Sequence, residues 1–349
     1  MGRDMFTCFI RKQRKSSLRG ASLPWAVIVI LAMSMTAEAQ TCFTSDDMDA
    51  ASRSALQAAG TRYFDMVARG DAASLKQNSI PEVASNFGGI ESTIKENQAG
   101  LAGARATAQP PFLLKAEGTA PLSKAEFLCG VFNAQGQTTN SAEFVIPNLP
   151  PGNYGIVILE ATGGAVTYSV AFVLQQQGTE WKVGNLFLHP SAIDGHDANW
   201  FVTQARTDKA KGQTRTAWLY YLEARNLSMA VPFMYTQASD KMYDEMQTVK
   251  PADLPAGGNT TDLAGTSGKT YKLMDAFPLA VGKDLDVVVK YQNPDISNSG
   301  ETFQENMNVM RALLTKFPEL RDAFAGVVVR AVEPSGKDYG SMMPMKDIK

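Results

Sequence analysis

Residues Ala165–Pro190 read AVTYSVAFVLQQQGTEWKVGNLFLHP. Two runs rich in Val, Phe, Leu and Tyr are joined by the polar, glycine-containing segment QQQGTEW, the pattern of a hairpin between antiparallel strands. Upstream, PFLLKAEG, KAEFLCGVFNA and AEFVIPNLPPGNYGIVILEATGG repeat that pattern, with LPPGNY as a further turn. Strands therefore run from about residue 106 to His189. Ahead of them the period changes. Over residues 46–69, Leu56, Ala59, Tyr63, Phe64, Met66 and Val67 recur at helical spacing. Ser45 or Asp46 can cap this helix and Gly70 stops it. A short helix and a turn around Pro81 follow, then an amphipathic helix in GIESTIKENQAGLAGA. Helices followed by a meander of strands argue an α+β fold with an antiparallel sheet.

Two stretches carry a family resemblance. YFDMVARGDAASLKQ (Tyr63–Gln77) resembles the first helix and following turn of NTF2-like domains, and GTEWKVGNLFLHP (Gly178–Pro190) resembles their closing hairpin. The resemblance covers residues 46–190. It implies a curved sheet wrapped around a long helix, leaving a cone-shaped cavity. The family uses such a cavity for small-ligand binding, for dimerisation and, in some members, for isomerase or dehydratase chemistry. The inserted NLPPGNYG turn and the strand holding Cys129 depart from the family pattern and leave the register open. Strand alternation puts every second residue inside. The expected ligand-facing residues are Tyr63, Phe64, Phe127, Phe144, Phe172 and Trp181, with Ile156 and Val67 beside them.

The remainder matches no recognised pattern. Residues 191–250 read as a helical hairpin region: ANWFVTQARTDKAK, a break at Gly212, then QTRTAWLYYLEARNLSMAV and a shorter helix. A single such pair cannot bury its own apolar face, so it must pack on a neighbour. Residues 251–270 are linker-like by composition. Residues 271–349 form a small α/β region. DLDVVVKY places Leu285, Val287, Val289 and Tyr291 on one face. ETFQENMNVMRALLTKF places Phe303, Met307, Met310, Leu314 and Phe317 at helical spacing, with Asn298 and Glu301 as a capping box. GVVVRAV closes a parallel crossover.

The N-terminal 39 residues read as a secretory signal peptide. Arg11, Lys12, Arg14, Lys15 and Arg19 precede the apolar run PWAVIVILAMSM, and Ala37-Glu38-Ala39 fits a small-x-small cleavage site. An uncleaved anchor is the alternative. The chain holds 33 basic and 35 acidic residues. Six basic and two acidic ones lie before Gln40, so the processed chain keeps 27 against 33, a net charge of −6. A mildly acidic exported chain does not suit nucleic acid. Its remaining cysteines, Cys42 and Cys129, suit a disulfide in an oxidising compartment, with two buried thiols as the alternative.

Catalytic chemistry is hardly visible. GTSGKT (Gly265–Thr270) lacks the first glycine of a phosphate loop, since residue 263 is Leu. His189 and His196 are neither i, i+2 nor i, i+4, so no metal site is expected, and Asp194 or Asp197 serves better as a helix cap. Carboxylate pairs leave no motif; Asp65 and Glu143 read as face residues. QNPDISNSG (Gln292–Gly300), at the end of a parallel strand, favours a polar ligand or plain capping. The reading is an exported, periplasmic or secreted protein without cofactor or metal, binding a small hydrophobic ligand or a protein partner. It has no membrane span after processing, and homo-oligomerisation is open. The alternatives are an NTF2-like enzyme using cavity carboxylates, or a docking subunit of an envelope complex that exposes Trp218, Tyr220 or Tyr221.

Overall fold

A computed structural model describes residues 40–349 apart from Gln135, Gly257, Thr266 and Ser267. The expected signal segment lies outside these residues. The fold is mixed α+β.

The N-terminal half begins with β1 (Gln40–Phe43) and α1 (Ala50–Ala68). The cap of α1 is Asp49, whose side chain accepts from Ser52 N, and not Ser45 or Asp46. Asp47 is engaged by Thr44 in the preceding turn, so the helix starts later than its apolar period suggests. Then come α2 (Ala72–Gln77), α3 (Pro81–Ser85) and α4 (Gly88–Leu101). Pro81 opens α3, where its fixed φ and missing N–H cost nothing.

Seven strands follow: β2 (Arg105–Ala108), β3 (Phe112–Ala116), β4 (Leu122–Asn133), β5 (Gly136–Leu149), β6 (Gly152–Thr162), β7 (Tyr168–Gln177) and β8 (Glu180–Pro190). They do not make one sheet. The order β1-β3-β6-β7-β8, with β2 also on β6, forms a six-stranded antiparallel sheet that curls into a half-barrel. The β4–β5 hairpin belongs to a separate three-stranded sheet. The reason lies in β6. Tyr154 to Leu159 are all buried, so both faces of this strand need cover. One face meets α1, α2 and α4 through Val157, Leu159, Val170, Phe172 and Leu174. The other meets the hairpin, where Phe127, Cys129 and Phe144 pack on Leu114, Ile156 and Ile158.

Cys42 and Cys129 are bonded, with 5.1 Å between their Cα atoms. The bond joins β1 to β4, sheet to sheet, and not the helical layer to a sheet. It closes a loop of 87 residues. The chain-entropy model values that at about 4–5 kcal/mol.

The second half continues through the paired β9 (Ala192–Ile193) and β10 (His196–Asp197) to α5 (Ala198–Ala210) and α6 (Thr214–Ser228). Gly212, at φ 77°, makes the turn between the two helices. Next are β11 (Met234–Thr236), α7 (Gln237–Gln247), β12 (Thr261–Ala264), β13 (Thr270–Val281), β14 (Asp284–Gln292), α8 (Ser299–Lys316), α9 (Leu320–Ala323), β15 (Gly326–Val332) and β16 (Asp338–Pro344). Strands β12 to β16 form one sheet in chain order. Its β14–β15 pair is parallel, joined through α8 as the sequence suggests.

Residues 251–270 are not a plain linker. Leu254 and Leu263 are fully buried, and Thr261–Ala264 pairs with β13. Phe303 also departs from expectation: it is 37% exposed, while Met307, Met310, Leu314 and Phe317 are buried. Helices α5 and α6 share one apolar core with α8 and this sheet. Among the described residues no helix is long and apolar enough to cross a membrane.

Candidate functional site

The six aromatic residues expected to line one cavity lie in two cores. Tyr63, Phe64, Phe172 and Trp181 sit on the helical face of the six-stranded sheet, and Phe127 and Phe144 on the opposite face. The helical side is tightly closed. The Tyr63 ring meets Phe172 at a tilt, centroids 5.9 Å apart, and its hydroxyl donates to the Trp181 carbonyl at 2.5 Å. At Gly60 a Cβ would lie 2.5 Å from Val157, so α1 rests directly on β6. These residues act as core here.

An open cavity lies elsewhere, and chain direction explains it. Helix α6 ends at Ser228, and Met229 leaves helical geometry ahead of Pro232. The chain then turns back toward the sheets. Val231 is fully buried among the hairpin residues, and Phe233 packs on Phe187 at 5.8 Å and on Phe144 at 6.5 Å. Met234–Thr236 adds as a third strand to β5, with Met234 opposite Phe144. Thr236 then starts α7 through a capping box with Ser239. This return path leaves a groove between the end of α6, β11, the first turns of α7 and strands β6 and β7. Its volume is about 480 Å³, within the range of small-molecule sites.

The floor is apolar: Ile158, Leu227, Met229, Val231 and Met234. Polar groups stand around it. Ser169 and Glu160 come from directly paired positions on β7 and β6. Arg225 comes from the last turn of α6, and Ser239, Asp240 and Tyr243 from one face of α7. Tyr235 and Tyr243 are 40% and 48% exposed. Glu160, Arg225 and Asp240 form no ion pair among the described residues. Partial burial and the nearby Asp244 carboxylate raise the Asp240 pKa, while Ser239 opposes the shift.

The stretch around the histidines resolves into connectors. His189 lies in β8 opposite Ser169, and its Nδ1 lies 2.9 Å from the Pro190 carbonyl. That carbonyl can only accept, so Nδ1 carries the proton, and the buried Nε2 has no partner among the described residues. His196 stacks on Trp200 at 3.9 Å. Asp197 caps α5 by accepting from Trp200 N. Among the described residues no three His, Cys, Asp or Glu are grouped so as to hold a metal ion. Gly265, Lys269 and Thr270 belong to the β12–β13 hairpin, with Gly265 N donating to the Lys269 carbonyl. Gln292–Gly300 does end a parallel strand, and Asn298 caps α8. Asp65 is exposed and Glu143 half-buried.

The groove escaped sequence reading because its walls come from five elements spread between Gly152 and Gln247. Its only local signal is MAVPFMYTQASD, an apolar run broken by Pro232 and followed by a capping pattern. Comparison with known protein families, with curated proteins and with solved structures finds no match.

Proposed function

We propose that this chain is an exported, non-enzymatic binding protein that holds a small amphipathic molecule in the groove between α6, α7 and the six-stranded sheet. The groove itself carries the reading. An apolar floor of aliphatic and methionine side chains provides binding area, and a few polar groups at its edge orient a ligand. Export rests on the basic and apolar N-terminal sequence, and the Cys42–Cys129 bond is what an oxidising compartment would sustain. The ligand is held beside the helical region rather than inside a cone under α1, where the side chains close the space.

Docking through the α6 aromatics has little support: Trp218, Tyr220 and Tyr221 are 4%, 8% and 1% exposed and pack into the C-terminal core. An enzymatic reading has one specific observation behind it. Asp240, in the groove, has a pKa raised by partial burial and by Asp244, and a perturbed carboxylate beside an apolar floor is a candidate acid–base group. Binding of an environment-sensitive apolar dye to the full chain tests the main reading. Ser228→Trp places a large ring at an exposed position of the groove wall, and dye uptake should fall at least about fivefold with folding unchanged. Uptake equal to wild type would remove the groove as the binding site.

A further inference from the structure

We propose that the groove selects an organic ammonium group attached to an apolar body. This rests on the groove being the binding site and adds the chemical class of its ligand. Three walls contribute charge: β6 through Glu160, α7 through Asp240 and α6 through Arg225. The lining is thus net negative by one charge, and no cation of the chain pairs with either carboxylate among the described residues. The nearest lysine in sequence, Lys241, points its ammonium at Gln237 Oε1, 2.9 Å away. Asp244, one turn beyond Asp240, adds further negative potential on α7.

An aromatic ring stands beside the acid. Tyr243 follows Asp240 at i+3, so its ring and the carboxylate share one helix face. Tyr235 on β11 also borders the groove, but strand alternation turns its ring away from the Met234 side, towards Glu143 and Lys124. Both rings are among the few large apolar side chains left exposed. A carboxylate with an exposed ring on the same helix face attracts ammonium cations, through charge and through the ring quadrupole. Below it, Met234, Leu227 and Ile158 accept an apolar body. An anionic ligand would instead have Arg225 as its single attractive charge and two carboxylates opposing it. A neutral ligand would gain nothing from either carboxylate, both of which belong to solvent-exposed residues.

Calorimetric titration of the full chain with three probes sharing one body separates these cases: 4-phenylbutyltrimethylammonium, 4-phenylbutanol and 4-phenylbutanoate. The ammonium probe should bind about tenfold more tightly than the alcohol, the anion should bind weakest, and the preference should shrink in high salt. Asp240→Asn and Tyr243→Leu should each reduce the preference for the ammonium probe over the alcohol by about three- to tenfold. Equal binding of cation and alcohol, or preference for the anion, would overturn the charge selection and leave the groove as an apolar site. If none of the three binds and Ser228→Trp leaves dye uptake unaltered, both the selection and the binding site fall together.

Discussion

Glu223 is 4% exposed on α6, and among the described residues the one hydrogen bond to its carboxylate comes from Asn226 Nδ2 at a long 3.4 Å. Burial raises its pKa, with Asn226 opposing weakly. A raised carboxyl pKa means the folded state holds the proton more tightly than the unfolded chain. Its contribution to stability is therefore fullest below the ordinary glutamate pKa and is lost as pH rises through the folded value. Glu223→Gln keeps the shape and removes the charge. It should raise stability at pH 7 by about 1–2 kcal/mol, and the gain should vanish in acid. Urea titrations of both proteins at the two pH values check this; a destabilised Gln variant at pH 7 would contradict it. The sequence TAWLYYLEARN hides this residue. Glu223 looks like a solvent-face glutamate, but α6 also buries Thr216, Ala217, Trp218, Leu219, Tyr220 and Tyr221. A helix enclosed on most sides has no solvent face to offer.

At the scale of elements, α1 owes its seat to two glycines. Gly60 on the helix faces Val157, and Gly155 on β6 faces Leu56. Neither has a positive φ that demands glycine; each is small because another side chain fills its space. Gly60→Val should cost about 1–3 kcal/mol through overpacking, although valine adds helix propensity over glycine. Thermal unfolding would measure it, and an unchanged Tm would show that α1 can lift from the sheet. The helix itself was legible: Leu56, Ala59, Tyr63, Phe64 and Val67, read from spacing alone, are all buried. So were the β7–β8 hairpin, the α5–α6 pair, the cap of α8 by Asn298 and the β14–α8–β15 crossover. Strand partners were less legible. β4 and β5 alternate like members of the main sheet, and only the two-sided burial of β6 moves them to a second layer.

At the scale of the molecule, arginine–carboxylate pairs fasten one element to another. Arg206 on α5 binds Glu245 on α7 at 2.8 Å through two nitrogens. Arg215 on α6 holds Asp253, with Glu319 3.5 Å away and the Phe317 ring beneath its guanidinium. Arg330 joins Asp338 across β15 and β16. In each pair the arginine hydrogen bond lowers the carboxyl pKa. A lowered pKa gives stability that is present above the ordinary carboxylate pKa and lost as pH falls through the folded value. The side chains of these pairs are 30–59% exposed, so each pair contributes modestly. The urea midpoint should fall between pH 6 and pH 3, and Arg215→Met should flatten that dependence. A variant with the full wild-type slope would show that the Arg215 pairs carry none of it.

The sequence alone determined the local elements, the mixed α+β class, and the cysteine pair available for a bond. Side-chain spacing, capping residues and turn residues act over a few positions, so they can be read from a few positions. Tertiary structure decided which strands share a sheet, what Cys42–Cys129 joins, and where open space remains. The aromatics marked for a ligand became core because α1 and β6 meet at glycines. The groove opened because the chain turns back at Pro232 to add β11 to β5, leaving α6, α7, β6 and β7 unable to close on one another. Space between elements is set by how all of them pack at once, and no single stretch of residues encodes it.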